Sequence, residues 1–137
     1  MAITQGTHHI GLTVPDIKAT RNFFVDVFGF EQVGEVPDYP AIFVSDGSIM
    51  LTLWQAVAPA NATSFDRKNN IGLHHFALKV ASLETLKSIH QTLLNTAGVE
   101  IEFAPEPCEG LPAHHMIFYI PGGIRMELIA MGTRSLS

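Results

Sequence analysis

The chain has 137 residues, 47% of them hydrophobic and 15% charged. That suffices for one compact domain or two very small modules and is too short for two independent domains. Eight Lys and Arg against thirteen Asp and Glu leave a formal charge of −5, so no positive field draws phosphate backbones or anionic lipid, and neither nucleic acid nor a membrane surface is an expected partner. No apolar run nears the roughly 20 residues needed to cross a bilayer, and Met1–Gly6 carries neither a basic nor an apolar leader; a cytoplasmic protein is expected.

In chain order, the first feature is His8-His9-Ile10-Gly11-Leu12-Thr13-Val14, an alternating strand pattern. A helix follows over 17–28, with Ile17, Thr20, Phe24, Val27 and Phe28 on one face, Asp16 as N-cap and Gly29 as the stop. Two short strands come next, Ala41 to Val44 and Gly47 to Leu53. The polar stretch from Gln55 to Gly72 reads as a linker, and its Asn61-Ala62-Thr63 sequon has no use in a cytoplasmic chain.

The same order then recurs. His74-His75-Phe76-Ala77-Leu78-Lys79-Val80 matches the first strand at an offset of 66, and a helix over 83–97 follows, opened by Ser82 and stopped by Gly98. Its predicted buried face is Leu83, Leu86, Ile89, Leu93, Leu94 and Ala97. Residues 104–111, rich in proline, read as a rigid connector near a pocket mouth. Met116 to Ile120 and Gly122 to Leu128 are strands, the latter matching Gly47 to Leu53 at an offset of 75. The expected class is α+β: two βαβββ modules, about 5–55 and 73–131, in a single domain over 1–137. They would form a curved mixed sheet around a cavity with helices on the outer face.

Six of the seven histidines occur as adjacent pairs, and neighbouring strand residues point to opposite faces. Ile10, Leu12 and Val14 form the apolar face of the first strand, leaving His9 on the other. Phe76, Leu78 and Val80 leave His75, and Met126, Leu128 and Ala130 leave Glu127. A single strand histidine is ordinarily a satisfied core residue, but three such residues at repeat-related, same-face positions need a common reason, since a buried carboxylate without a partner is costly. If the modules turn these faces inward, within one chain or across a dimer, two imidazoles and a carboxylate make a site for one divalent ion, Fe, Mn, Ni or Zn.

Lys79 and Arg125 share faces with His75 and Glu127 and are candidates for binding an anionic substrate, or else solvated strand-end charges. His115 and Tyr119 share a strand face and are candidate general acids or bases, or hydrogen-bonded lining. Trp54, on the face of Thr52, is a candidate pocket wall or ordinary core. Cys108 is the only cysteine, which rules out an internal disulfide, and no supporting acid marks it as a nucleophile. No P-loop, dinucleotide fingerprint, HExxH or GxSxG occurs.

The paired modules, His9-Ile-Gly-Leu-Thr-Val-Pro-Asp16, the helix exit from Phe23-Phe24 to Gly29-Phe30, the His75 strand and Pro121-Gly-Gly-Ile-Arg-Met-Glu-Leu128 together resemble the vicinal oxygen chelate superfamily over about 5–131. That group includes glyoxalase I, fosfomycin-resistance enzymes, methylmalonyl-CoA epimerase, extradiol dioxygenases and metal-free bleomycin-binding proteins. The resemblance implies His9, His75 and Glu127 as metal ligands, a small oxygen-rich substrate chelated through neighbouring oxygens, and a homodimer. It puts Thr52, a feeble ligand, where glyoxalase I and the epimerase carry Glu or Gln, and so favours a three-ligand pattern with Thr52 on the substrate side. The alternative is a non-catalytic small-molecule or drug-binding protein using the same cavity.

Overall fold

The computed structural model describes residues 1–133. The chain divides into two compact units, one from Met1 to Thr63 and the other from Ser64 onward. Among the described residues, each holds one four-stranded mixed sheet and one α-helix.

In the first unit, β1 (His9–Val14), α1 (Ile17–Phe28), β2 (Glu31–Val36), β3 (Ala41–Ser45) and β4 (Met50–Gln55) form a sheet in the order β1-β4-β3-β2, with β1 parallel to β4. The helix packs on β3, β4 and β2. Its apolar side, Ile17, Phe23 and Phe24, is buried, as are Leu12, Val14, Val44, Leu51 and Leu53 of the sheet. Asp16 caps α1 as predicted, its Oδ1 accepting from Ala19 N at 3.0 Å. Gly29 closes it at φ 72°, where its N–H reaches the Phe24 and Val25 carbonyls. Gln55 ties β4 to the same helix start: its Oε1 accepts from Ile17 N at 3.1 Å while its Nε2 donates to the Pro15 carbonyl.

The second unit repeats the plan with β5 (Phe76–Lys79), α2 (Leu83–Leu94), β6 (Glu100–Pro107), β7 (Ala113–Tyr119) and β8 (Arg125–Met131), in the order β5-β8-β7-β6. Strand β5 runs parallel to β8, and Phe76, Leu86, Leu93, Met116, Phe118, Met126 and Leu128 fill its core.

Two local expectations are corrected. α2 stops at Leu94, three residues before Ala97, because polar side chains capture its last carbonyls: Asn95 Nδ2 donates to Gln91 O and Thr96 Oγ1 to Thr92 O. Leu94, placed on the buried face by periodicity, is 53% exposed. Residues 104–107 continue β6 and are no connector. Prolines are tolerated there because β6 is a sheet edge with register shifts between Ile101 and Phe103 and between Phe103 and Glu106.

The side chain that Gly29→Ala would add meets nothing within 4 Å, so any cost lies in the backbone. The variant is expected to lose about 1 kcal/mol in urea unfolding with an unchanged m-value.

Candidate functional site

The parallel pairing of the outer strand with the last strand gives both units the same address system. In the first, His9 lies opposite Met50 and Gly11 opposite Thr52. In the second, Phe76 lies opposite Met126 and Ala77 opposite Glu127. The registers therefore agree with offsets of 66 and 75, making His9 and His75, Thr52 and Glu127, and Met50 and Arg125 repeat mates.

Within the second unit, Glu127 stands between two imidazoles. Its Oε1 lies 3.1 Å from His75 Nε2 and its Oε2 2.5 Å from His115 Nδ1. The period of two in β7 and β8 explains the meeting. Ile117 is directly opposite Glu127 and His115 opposite Ile129, so His115 and Glu127 are diagonal neighbours on one face. Phe103, from β6, packs its ring 5.0 Å from that of His115 and holds it in place. A cavity of about 450 Å³ opens here, lined by Phe103, Pro107, Cys108, Ile117, His115 and Glu127 among others. Cys108 is buried at its edge.

A second cluster occupies the neighbouring part of the same sheet. Arg125, 6% exposed, donates from Nε and Nη2 to the two oxygens of Glu102 at 3.0 and 2.7 Å. Tyr119, the cross-strand partner of Arg125, donates to Glu102 Oε1 at 2.9 Å and accepts from Arg67 Nη1 at 2.6 Å. The Arg125 hydrogen bonds hold the Glu102 carboxyl down to about 2, with Tyr119 and Arg67 adding to the effect. Burial, then the bond to Glu102, pushes the Tyr119 phenol up. Arg125 Nη1 also meets His74 Nδ1 at 3.2 Å. Partial desolvation and then the Arg125 charge keep His74 below the usual imidazole range.

Of the residues singled out from sequence, the second unit thus brings His75, His115 and Glu127 together. Tyr119 and Arg125 instead take Glu102 as their partner. Lys79 ends β5 opposite Ile129 and is exposed. In the first unit, His9 is exposed at the start of β1, its Nδ1 2.8 Å from that of His8. Thr52, 4% exposed, accepts from Trp54 Nε1 at 2.8 Å. That bond is accommodated because Gly11 opposite has no side chain; a Cβ there would stand 3.2 Å from the Thr52 hydroxyl. Trp54 and Tyr39 meet edge to face at 5.1 Å beside a cavity of about 400 Å³ that Thr13 and Asp38 also line. Sequence reasoning missed Arg67, Glu102 and His74. The one available signal was Arg125 itself, a charge in an apolar strand that required a buried partner.

Among the described residues, no group of three or more His, Cys, Asp or Glu side chains is arranged to hold a metal ion. The donor pair His75 and Glu127 nevertheless fits one. Two ligands about 2.1 Å from a shared octahedral cation and at right angles stand about 3.0 Å apart, against about 3.4 Å around a tetrahedral one, and His75 Nε2 and Glu127 Oε1 are 3.1 Å apart.

The sequence model of the Glyoxalase/Bleomycin resistance protein/Dioxygenase superfamily matches residues 6–128. The chain belongs to this superfamily. Among curated proteins it is 33% identical over 99 residues to the Catechol-2,3-dioxygenase of Bacillus subtilis (strain 168), a match covering 69% of this chain and 33% of that protein. The chain thus spans about a third of the length of that relative. Solved structures similar to it include the fosfomycin resistance protein FosX from Listeria monocytogenes, with TM-score 0.72, 20% identity and coverage of 93% of this chain and 94% of that one. A glyoxylase/bleomycin resistance protein/dioxygenase domain from Frankia sp. EAN1pec gives 0.79 at 18% identity, covering 93% and 98%. At these identities the structural likeness shows the fold of the superfamily alone.

Glu102→Gln is expected to destabilise the protein by about 1–3 kcal/mol at neutral pH, through weakened charged hydrogen bonds to Arg125. A carboxyl held below its ordinary value stabilises the fold above that value and loses the contribution as the pH falls. The gap between variant and wild type in denaturant titrations should therefore close between pH 4.5 and about 2.

Proposed function

We propose that the protein is a divalent-metal-dependent enzyme of the superfamily, acting on a small oxygen-rich substrate, with His75 and Glu127 as metal ligands. The observation that carries this reading is the 3.1 Å approach of His75 Nε2 to Glu127 Oε1 beside an open cavity. The third ligand, read from the sequence repeat alone, is His9, the mate of His75. When bound, the cation supplies a Lewis acid that stabilises charge developing on substrate oxygens.

The chain's own residues then have distinct tasks. Glu127 adds negative charge to the ligand set and anchors His115 through Oε2. His115, bound at Nδ1, keeps Nε2 as the ring position able to take up or release a proton, and we assign it the general acid or base role. Phe103, Pro107 and Ile117 line the cavity beside it and reduce access of water to reacting groups. Thr52, Trp54, Lys79 and Arg125 were the substrate-binding candidates; the ion pair with Glu102 makes Arg125 a supporting residue in this proposal. The partner is a small molecule, and the working form proposed is a cytoplasmic homodimer. The name of the Bacillus subtilis relative makes catechols the first compounds to assay.

Metal analysis of protein purified without chelator, with calorimetric titration of Mn(II), Fe(II), Ni(II) and Zn(II), tests the reading. About one ion per chain is expected, with affinity falling at least tenfold in His75→Ala and Glu127→Ala. A protein that takes up none of the four contradicts it. His115→Ala is expected to weaken metal binding about 10–100-fold, because it removes the hydrogen bond that holds Glu127 Oε2, and to lose about 10²-fold or more in kcat at saturating metal. Tight small-molecule binding without turnover, indifferent to EDTA, favours the non-catalytic alternative.

A further inference from the structure

The first unit gathers aromatic side chains beside an unengaged carboxylate. Trp54, near the end of β4, is held by the bond from its Nε1 to Thr52 Oγ1 at 2.8 Å and by Phe43 of the neighbouring strand β3, whose ring centre lies 6.1 Å away. Tyr39, in the turn between β2 and β3, sets its ring 5.1 Å from that of Trp54 at an angle of 76°. Contact of edge with face uses one face of one ring, so aromatic faces remain for a ligand. Both rings line the cavity of about 400 Å³, together with Asp38, Thr13 and Val57. Both also border a more open one of about 490 Å³ with Val36. Asp38 is exposed, and among the described residues no hydrogen bond or ion pair engages its carboxylate. No Lys or Arg lines either cavity.

We propose that Trp54, Tyr39 and Asp38 form a binding site for an organic cation that carries a quaternary ammonium group. An aromatic face is the negative pole of the ring quadrupole and attracts a cation within about 6 Å of the ring centre. Ring centres 5.1 Å apart let one cation reach both, and Asp38 supplies the formal countercharge. Other ligands fit this wall less well. A hard metal ion takes about six or more oxygen ligands, far beyond one carboxylate and the Thr13 hydroxyl. A primary ammonium brings three N–H donors that each want an acceptor, and the side chain of Gln55, also on the wall, is engaged by Ile17 N and the Pro15 carbonyl. A quaternary nitrogen brings no donors, and its methyl groups suit Val36, Val57 and the ring faces. An anion is opposed by Asp38. The site lies within the first unit and stands apart from the reading of His75 and Glu127 as metal ligands.

Trp54 is the only tryptophan, so the intrinsic fluorescence of the full chain reports on this site directly. The test titrates choline, its neutral isostere 3,3-dimethyl-1-butanol and the primary amine ethanolamine into the protein in EDTA, which keeps the outcome independent of any bound metal. Choline is expected to change the emission saturably and to bind about tenfold or more tighter than either of the other two. Asp38→Asn and Tyr39→Leu, both at exposed positions, should each weaken choline binding about tenfold. Asp26→Asn removes the same charge from an exposed position of α1 and should change it less than about twofold at physiological ionic strength. The absence of a saturable response to choline overturns the proposal. So does equal affinity for the neutral isostere, the mark of an apolar pocket alone, or for ethanolamine, which removes the quaternary assignment. Equal losses in Asp38→Asn and Asp26→Asn overturn it as well, because they trace binding to the net charge of −5 and not to the site.

Discussion

A carboxylate on a half-buried sheet face has to be satisfied, and Glu127 meets that demand by standing between His75 and His115. The rest of the second unit is arranged to make that meeting possible. The parallel β5–β8 pairing carries His75 to one side of Glu127, the antiparallel β7–β8 pairing carries His115 to the other, and α2 covers the opposite, apolar face. Shifting β8 by one residue would turn Met126 or Leu128 toward the imidazoles and bring Glu127 into the core. The core packing and the polar cluster therefore enforce the same register.

The two halves of the repeat have kept the scaffold and parted in chemistry. Where the second unit has Glu127, the first has Thr52, which accepts from Trp54 in a setting that depends on Gly11. Where the second has Arg125, the first has Met50. The charged network of Arg67, Tyr119, Glu102 and Arg125 belongs to the second unit. The first has instead an aromatic group of Tyr39, Phe43 and Trp54. Polar chemistry and apolar surface are thus divided between units of one design.

Much of this was legible in the residues. Alternation in the strands assigned His75 and Glu127 to the face opposite the helix, and the offsets of 66 and 75 are the ones the hydrogen-bond registers obey. Asp16, Ser82 and Gly29 marked helix ends through local chemistry that needs no tertiary context. Where sequence reasoning failed, the cause was non-local or a competition. Asn95 and Thr96 withdraw carbonyls from a helix whose apolar period runs on. The prolines of β6 look like a loop until the strand is known to be an edge. The Arg125 ion pair joins strands separated by β7, and Glu102 sits at the register shift between Ile101 and Phe103, so no spacing rule reaches it.

Diffraction from crystals grown with Mn(II), recorded at the manganese absorption edge, tests the central claim most directly. The account predicts one anomalous peak per chain, about 2.0–2.2 Å from both His75 Nε2 and a Glu127 oxygen. Manganese bound elsewhere, with these two side chains still joined by their hydrogen bond, would contradict it.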